Sequence, residues 1–326
     1  MIMLYIVIAL ALVFNFLNGF KDSSGIVATV ISSRALRPRT ALMITAAAEF
    51  IAPFIFGVAV AQAIGAGLIR PGALSQQVIV AGVSAAIAWN LITWYFAIPT
   101  SSSHTLVGGL LGAAILSGGI GAIQLSGLIL ILTALFLSPA LGFAIGFLLM
   151  HLVLFVFRDA GPAITLVFKR LQIVTAISLA LSHGTNDSQK SMGIITMGLV
   201  SAGLLEKFQV PFWVIAACAS TIALGTVFGG WRLIYTLGGR IYKIRPADAF
   251  TSQAASALVV LGAALVGGPV SATQVISAAI MGVGAAERVK KVRWQVGQSM
   301  LIAWLLTIPV TGAAAALVYV LLTRLA

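Results

Sequence analysis

Charge is scarce in this chain. Of its 326 residues only 8% are Asp, Glu, Lys or Arg, against about 25% in a soluble domain. Another 60% are hydrophobic, and mean hydropathy is +1.12. These values exclude a soluble globular domain and place the chain in a bilayer. Acidic residues are scarcest: Asp22, Glu49, Asp159, Asp187, Glu206, Asp248 and Glu287 are all there are. The single cysteine, Cys218, excludes an intrachain disulfide. No basic stretch precedes the first apolar run, MIMLYIVIALALVFNFL, and no small-residue cleavage site closes it. That run therefore reads as a retained span rather than a signal peptide. The net charge of +12 does not point to nucleic acid, because the basic residues sit in short segments between apolar runs.

Ten apolar segments can be read at roughly 20 residues per crossing. In the first half they are 2–20 (continuing to 33), 40–64, 77–98, 100–117 and 124–157. After a short linker, 158–170, come 171–205, 212–230, 249–266, 270–286 and 298–323. The two halves, 1–157 and 171–326, share a pattern. Aligning Asp22 with Asp187 also aligns Gly19 with Gly184 and Asn18 with His183, at an offset of 165. At an offset of 170, the Pro99–His104 stretch aligns with Pro269–Gln274, Gly112 with Gly282, Pro139 with Pro309, and Gly142 with Gly312.

Fourteen of the 19 basic residues fall in four segments. These are Arg34, Arg37 and Arg39; Arg158, Lys169 and Arg170; Arg232, Arg240, Lys243 and Arg245; and Arg288, Lys290, Lys291 and Arg293. With ten crossings all four lie on one face, opposite Arg70, Lys207 and Arg324, which makes that face cytoplasmic and puts both termini outside. Five crossings per half then invert one half against the other. The predicted fold class is an all-α polytopic membrane protein of two inverted repeats, with broken helices. Segments 100–117 and 270–286 are rich in small residues and start at a proline, so they read equally as re-entrant hairpins.

Polar residues inside such spans carry the chemistry. A charge in hydrocarbon costs from about 3 to above 10 kcal/mol, so it needs a partner and a task. Two cassettes stand out: Asn18-Gly-Phe-Lys-Asp-Ser-Ser-Gly25 and His183-Gly-Thr-Asn-Asp-Ser-Gln-Lys190. Their glycines and serines are expected to let the helices open around a cavity. Asp22 and Asp187 then coordinate Na⁺ or carry a proton, with Asn186, Ser23, Ser24 and Ser188 as neutral oxygens. The competing reading is a buried network that only ties helices together. Glu49 is either a site residue or an interhelical partner. His183 and Asp187 have i, i+4 spacing, but two ligands do not make a metal site.

The second constellation is the pair of Pro-x-Ser segments. Ser101, Ser102, Ser103 and Thr105 follow Pro99, and Ser271, Thr273 and Gln274 follow Pro269. Proline suits the first turn of a helix, and two helix starts aimed at one spot favour an oxyanion such as phosphate or sulfate. Simple N-capping is the plainer alternative. His104 bonds either the anion or a neighbouring helix.

These residues resemble the inorganic phosphate transporter family, in its bacterial low-affinity branch. The resemblance rests on NGFKDSSGIVAT, SHGTNDSQKSMGI, AIPTSSSHT, GPVSATQ and WNLITWYF, and it extends over nearly the whole chain. It implies a multi-pass carrier in the bacterial cytoplasmic membrane, often a homodimer, that takes up inorganic phosphate with Na⁺ or H⁺. It implies no cofactor beyond bound Na⁺, and no enzyme activity. Carried over by position, Asp22, Asn186 and Asp187 serve cation and phosphate, while Ser101, Ser102, Ser103, Thr105, Ser271 and Thr273 line the anion site. Three positions depart from the family: Lys21 stands where relatives have Asn or His, Gly25 where they usually have Asn, and Gln274 where many have His. The first cassette has thus lost an oxygen ligand and gained a charge, and Lys21 is expected to pair with Asp22 in place of one cation. The second cassette reads as intact. Other readings are a carrier of another oxyanion such as sulfate, and a passive or regulatory homologue. An intramembrane hydrolase fits poorly, because Ser103 and His104 are adjacent and point to different helix faces.

Overall fold

The structure, a computed structural model, describes residues 1–96, 98, 100–229 and 244–325. Among them are eleven α-helices: α1 (Ile2–Ser32), α2 (Pro38–Phe56), α3 (Ala59–Gly65), α4 (Gln76–Tyr95), α5 (Ser102–Gly118), α6 (Leu125–Val156), α7 (Ile164–Ser201), α8 (Phe212–Phe228), α9 (Pro246–Leu265), α10 (Ala272–Glu287) and α11 (Trp294–Leu325). The helix limits follow from local chemistry. Pro38 and Pro246 open α2 and α9, where a missing N–H costs nothing. Ser75, Ser101 and Ser271 cap α4, α5 and α10 by accepting from backbone N–H groups three residues on. Helix α2 stops at Gly57, whose φ of +80° suits a residue without Cβ.

Most predicted segments are present with ends shifted by a few residues, but three readings change. The 40–64 segment is two helices, since the chain breaks at Gly57 and restarts as α3. Gln189, from α7, holds that break. Its Oε1 accepts from the Val60 and Ala61 N–H groups at 2.8 and 3.3 Å, and its Nε2 donates to the Gly57 carbonyl at 2.7 Å. The 158–170 linker is shorter than expected, because α7 begins at Ile164 and takes in Lys169 and Arg170. Finally, α5, α8 and α10 have 17, 17 and 16 residues, short of the ~20 a full crossing needs. By length and composition α1, α2, α4, α6, α7, α9 and α11 can each cross a membrane. Of the basic segments used to orient the chain, Arg232, Arg240 and Lys243 lie outside the described residues.

The packing comes in matched pairs. Helix α1 lies on α8 and α7 lies on α2; α5 lies on α11 and α10 lies on α6. Helices α4 and α5 form a hairpin, with Gly82 against Gly109, and α9 and α10 pack together likewise. Exchanging the halves converts each of these contacts into another on the same list. Close crossings make them possible. A Cβ on Gly112 would overlap the Gly312 carbonyl oxygen, and one on Gly282 would overlap that of Phe143. A Cβ on Gly19 would overlap the Ile222 carbonyl, and one on Gly184 would strike the Glu49 backbone. Helices α6 and α11 bury little of themselves and show large apolar side chains outward, such as Leu148, Phe155, Leu305 and Leu317. That is the dress of lipid-facing helices. Polar side chains collect instead along the inner faces of α1 and α7.

The glycine crossings can be tested directly. Gly112→Val forces α5 away from α11, and overpacking of this kind costs about 1–3 kcal/mol. A clearly lowered melting temperature of the detergent-purified protein is expected. Gly262→Ala meets nothing within 4 Å and is expected to melt as the parent does.

Candidate functional site

The cassettes lie on unbroken helices, which corrects the expectation that their glycines open the chain. Both α1 and α7 run straight through them. The reason is local. Ser23, Ser24 and Ser188 return their hydroxyls to their own helix, at the Phe20, Lys21 and Gly184 carbonyls. Gly19 and Gly184 serve helix crossings rather than unwinding. Irregular backbone lies instead just before α5 and α10, where Thr100, Ser101, Pro269, Val270 and Ser271 are all buried. Pro99 itself lies outside the described residues.

The two aspartates meet, although 165 positions separate them. Asp22, His183 and Asp187 offer ligand atoms that all lie within 4.8 Å of one another. His183 Nε2 faces Asp22 Oδ2 at 3.9 Å and Asp187 Oδ2 at 3.8 Å. Ser102, the first residue of α5, places its Oγ at 3.3 and 3.4 Å from the same two oxygens. Thr273, from the first turn of α10, donates to Asp22 Oδ1 at 2.8 Å. The starts of both short helices therefore converge on Asp22, and that of α5 reaches Asp187 as well. His104 and Gln274, equivalent at the 170 offset, touch each other at 3.4 Å.

A third carboxylate completes the centre. Glu49 Oε1 shares a 2.7 Å hydrogen bond with His183 Nδ1, and Thr226 donates to Oε2 at 2.5 Å. His183 is thus held on one edge by Glu49 and aimed on the other at Asp22 and Asp187. All four side chains are at most 3% exposed. The centre is sealed from both surfaces in this conformation.

The other predicted residues take different parts. Ser101 and Ser271 are N-caps, donating nothing to the centre and accepting from the His104 and Gln274 N–H groups at 3.1 and 3.4 Å. Thr105 bonds the Ser102 carbonyl. Ser103 donates to the Val270 carbonyl at 2.7 Å, tying α5 to the chain before α10. Asn186 clamps that same chain, donating to the Gly268 carbonyl at 3.2 Å and accepting from the Val270 N–H at 3.3 Å.

Lysine placement needs two corrections. Lys21 does not pair with Asp22. Its Nζ turns to Asn90 Oδ1 at 2.9 Å and to the Thr100 carbonyl at 3.2 Å, because its side chain leaves α1 on the face toward α4. Nor is the second cassette free of a fixed charge. Lys190 aligns with Gly25 at the 165 offset, and its Nζ lies 2.8 Å from Asp187 Oδ1 and 3.1 Å from the Val270 carbonyl. Sequence reasoning left Lys190 without a role, although its i, i+3 spacing from Asp187 was a usable signal. Asn90 and Thr226, each an isolated polar residue in an apolar run, gave none.

Known proteins match this chain along its length. A sequence profile of the phosphate transporter family matches residues 18–165 and 158–315. A Bacillus subtilis protein named "Probable low-affinity inorganic phosphate transporter" is 43% identical over 100% of this chain and 98% of its own length. A Rhizobium meliloti protein of the same name is 44% identical, over 96% of this chain and 94% of its own. A solved structure titled "The sodium-dependent phosphate transporter" superposes with a TM-score of 0.91 at 25% identity, covering both chains completely. With its acidic centre, its converging helix starts and these matches along the full length, the chain belongs to the phosphate transporter family.

Proposed function

We propose that the chain is a secondary transporter importing inorganic phosphate across the bacterial cytoplasmic membrane, coupled to H⁺ or Na⁺. The observation that carries this reading is the meeting of two helix starts, at Ser102 and Thr273, with the buried carboxylates of Asp22 and Asp187. The first-turn N–H groups of α5 and α10 and the hydroxyls of Ser102 and Thr273 are donors suited to an oxyanion. The carboxylates beside them are hostile to one. Two like charges about 4 Å apart repel by about 4 kcal/mol at an effective dielectric near 20. Lys190 already faces Asp187 at 2.8 Å, so phosphate enters when a further positive charge, a proton or a metal cation, offsets the acids that remain. That requirement is coupling, written in electrostatics.

Within this reading, Glu49 and His183 hold or pass the coupling charge, and Asn186, Ser103, Ser271 and Gln274 shape the chain around the anion. Ser101 and Thr105 support the α5 start. Two inverted halves, consistent with the matched helix contacts, give alternating access when Ser102 and Thr273 part from the acids on one side and then the other. The basic segments at 34–39, 158–170 and 288–293 face the cytoplasm, both termini lie outside, and the carrier works as a homodimer.

Two substitutions test the assignment in proteoliposomes. Asp187→Asn protein that elutes as the parent is expected to lose concentrative phosphate uptake. Uptake at the full rate would remove Asp187 from coupling. Ser102→Ala deletes a donor to the anion, and about a tenfold rise in the phosphate KM is expected, corresponding to about 1.4 kcal/mol. Counterflow with sulfate in place of phosphate checks substrate class, and phosphate is expected to be the exchanged anion.

A further inference from the structure

We propose that the ammonium groups of Lys21 and Lys190 are tethered stand-ins for coupling metal cations, so that this chain moves its anion without sodium. The proposal deepens the transport reading and rests on it. Each ammonium is held by oxygen alone. Lys190 has the Asp187 carboxylate and the Val270 carbonyl, and Lys21 has the Asn90 amide oxygen and the Thr100 carbonyl. Carboxylate, amide oxygen and main-chain carbonyl are the ligands that membrane carriers offer a hard cation. Both lysines are buried, Lys190 completely.

The placement of the two is what argues for a shared task. Thr100 and Val270 are equivalent at the 170 offset, each just ahead of a short helix that reaches the centre. The lysines are not equivalent to each other: Lys21 aligns with Asn186, and Lys190 with Gly25. Two different sequence positions therefore deliver a fixed positive charge to the same carbonyl in each half. A lysine whose only task was to neutralise an adjacent aspartate would not explain Lys21, which bypasses Asp22 for that carbonyl.

Charge balance points the same way. Asp22, Glu49 and Asp187 bring three negative charges to the centre, and Lys21 and Lys190 return two. The two ammoniums thus meet most of the fixed negative charge, and the His183 imidazole is bonded to one of these acids and faces the other two. A buried ion left unpaired costs several kcal/mol, and the two ammoniums already supply charge that metal cations would otherwise have to bring to these oxygens. A tethered ammonium cannot be released on the far side, so neither lysine is itself the exchanged charge.

The test separates cation binding from transport. Purified full-length protein is assayed for saturable binding of radioactive Na⁺, and the same protein in liposomes for uptake of labelled phosphate with Na⁺ or K⁺ outside at fixed pH. The parent chain is expected to bind no Na⁺ and to transport equally in either salt. The Lys21→Asn/Lys190→Asn double variant is expected to gain saturable Na⁺ binding, and about tenfold stimulation of uptake by Na⁺, within the usual range of coupling between two ligands. Saturable Na⁺ binding by the parent overturns the proposal. So does a monodisperse double variant that binds none. If the double variant does not fold, the parent's binding measurement decides alone. Absence of phosphate uptake in every salt would overturn the transport reading instead, and Na⁺ binding would still settle the role of the lysines.

Discussion

Three carboxylates held away from water dictate how this molecule is assembled. A buried ion left alone costs several kcal/mol, so each acid must be met by partners that other helices supply. Asp187 on α7 takes Ser102 from α5, with Lys190 from its own next turn. Asp22 on α1 takes Thr273 from α10 and Ser102 again. Glu49 on α2 takes His183 from α7 and Thr226 from α8. Six helices are thereby committed to one point. The apolar surface of α6 and α11 cannot supply that commitment, because hydrocarbon neighbours are as acceptable to it as protein.

Proximity then has to be made possible by what is missing. The inner helices come close enough only where a side chain has been reduced to hydrogen. Gly19 and Gly184 illustrate this at equivalent positions. The first lets α1 approach α8 at Ile222, and the second lets α7 approach α2 at Glu49. The matching neighbours, Ile222 and Glu49, differ in charge. The matched helix contacts thus hold a centre that is not matched: Glu49 comes from one half, and His183 stands at the position where the other half has Asn18.

The sequence disclosed a good deal of this. Helical segments, the repeated cassettes, the meeting of Asp22 with Asp187 and the convergence of two helix starts were all legible, because hydropathy and the spacing of rare polar residues are local signals. The errors arose where a residue has two physical uses. Glycine and serine in the cassettes signalled opening, but the glycines serve close packing and the serines satisfy their own helix. Ser101 and Ser271 cap their helices, the plainer of the two uses that their position allows. The Lys21–Asp22 pairing failed because adjacent residues on a helix point about 100° apart, while α4 lay on the lysine's side. Asn90, Thr226 and Gln189 act at distances of 69 to 177 residues in the chain, which no local pattern records.

The chain ahead of α5 and of α10 therefore matters as much as the acids. Thr100 and Val270 present carbonyls whose partners are lysines, and Val270 is further bound by Ser103 from the opposite half and by Asn186. Any motion that exposes the centre must break some of these bonds, since Ser102 and Thr273 follow directly in the chain. The ammoniums are then more than a charge correction. Each ties a helix start to a cassette through a long, flexible stem, which can follow the start as it moves and keep a positive charge beside the anion. A diffusible cation would have to be bound and lost to do the same. Permanence of the charge and mobility of its attachment are compatible in lysine, whereas the shorter asparagine has neither the charge nor the reach.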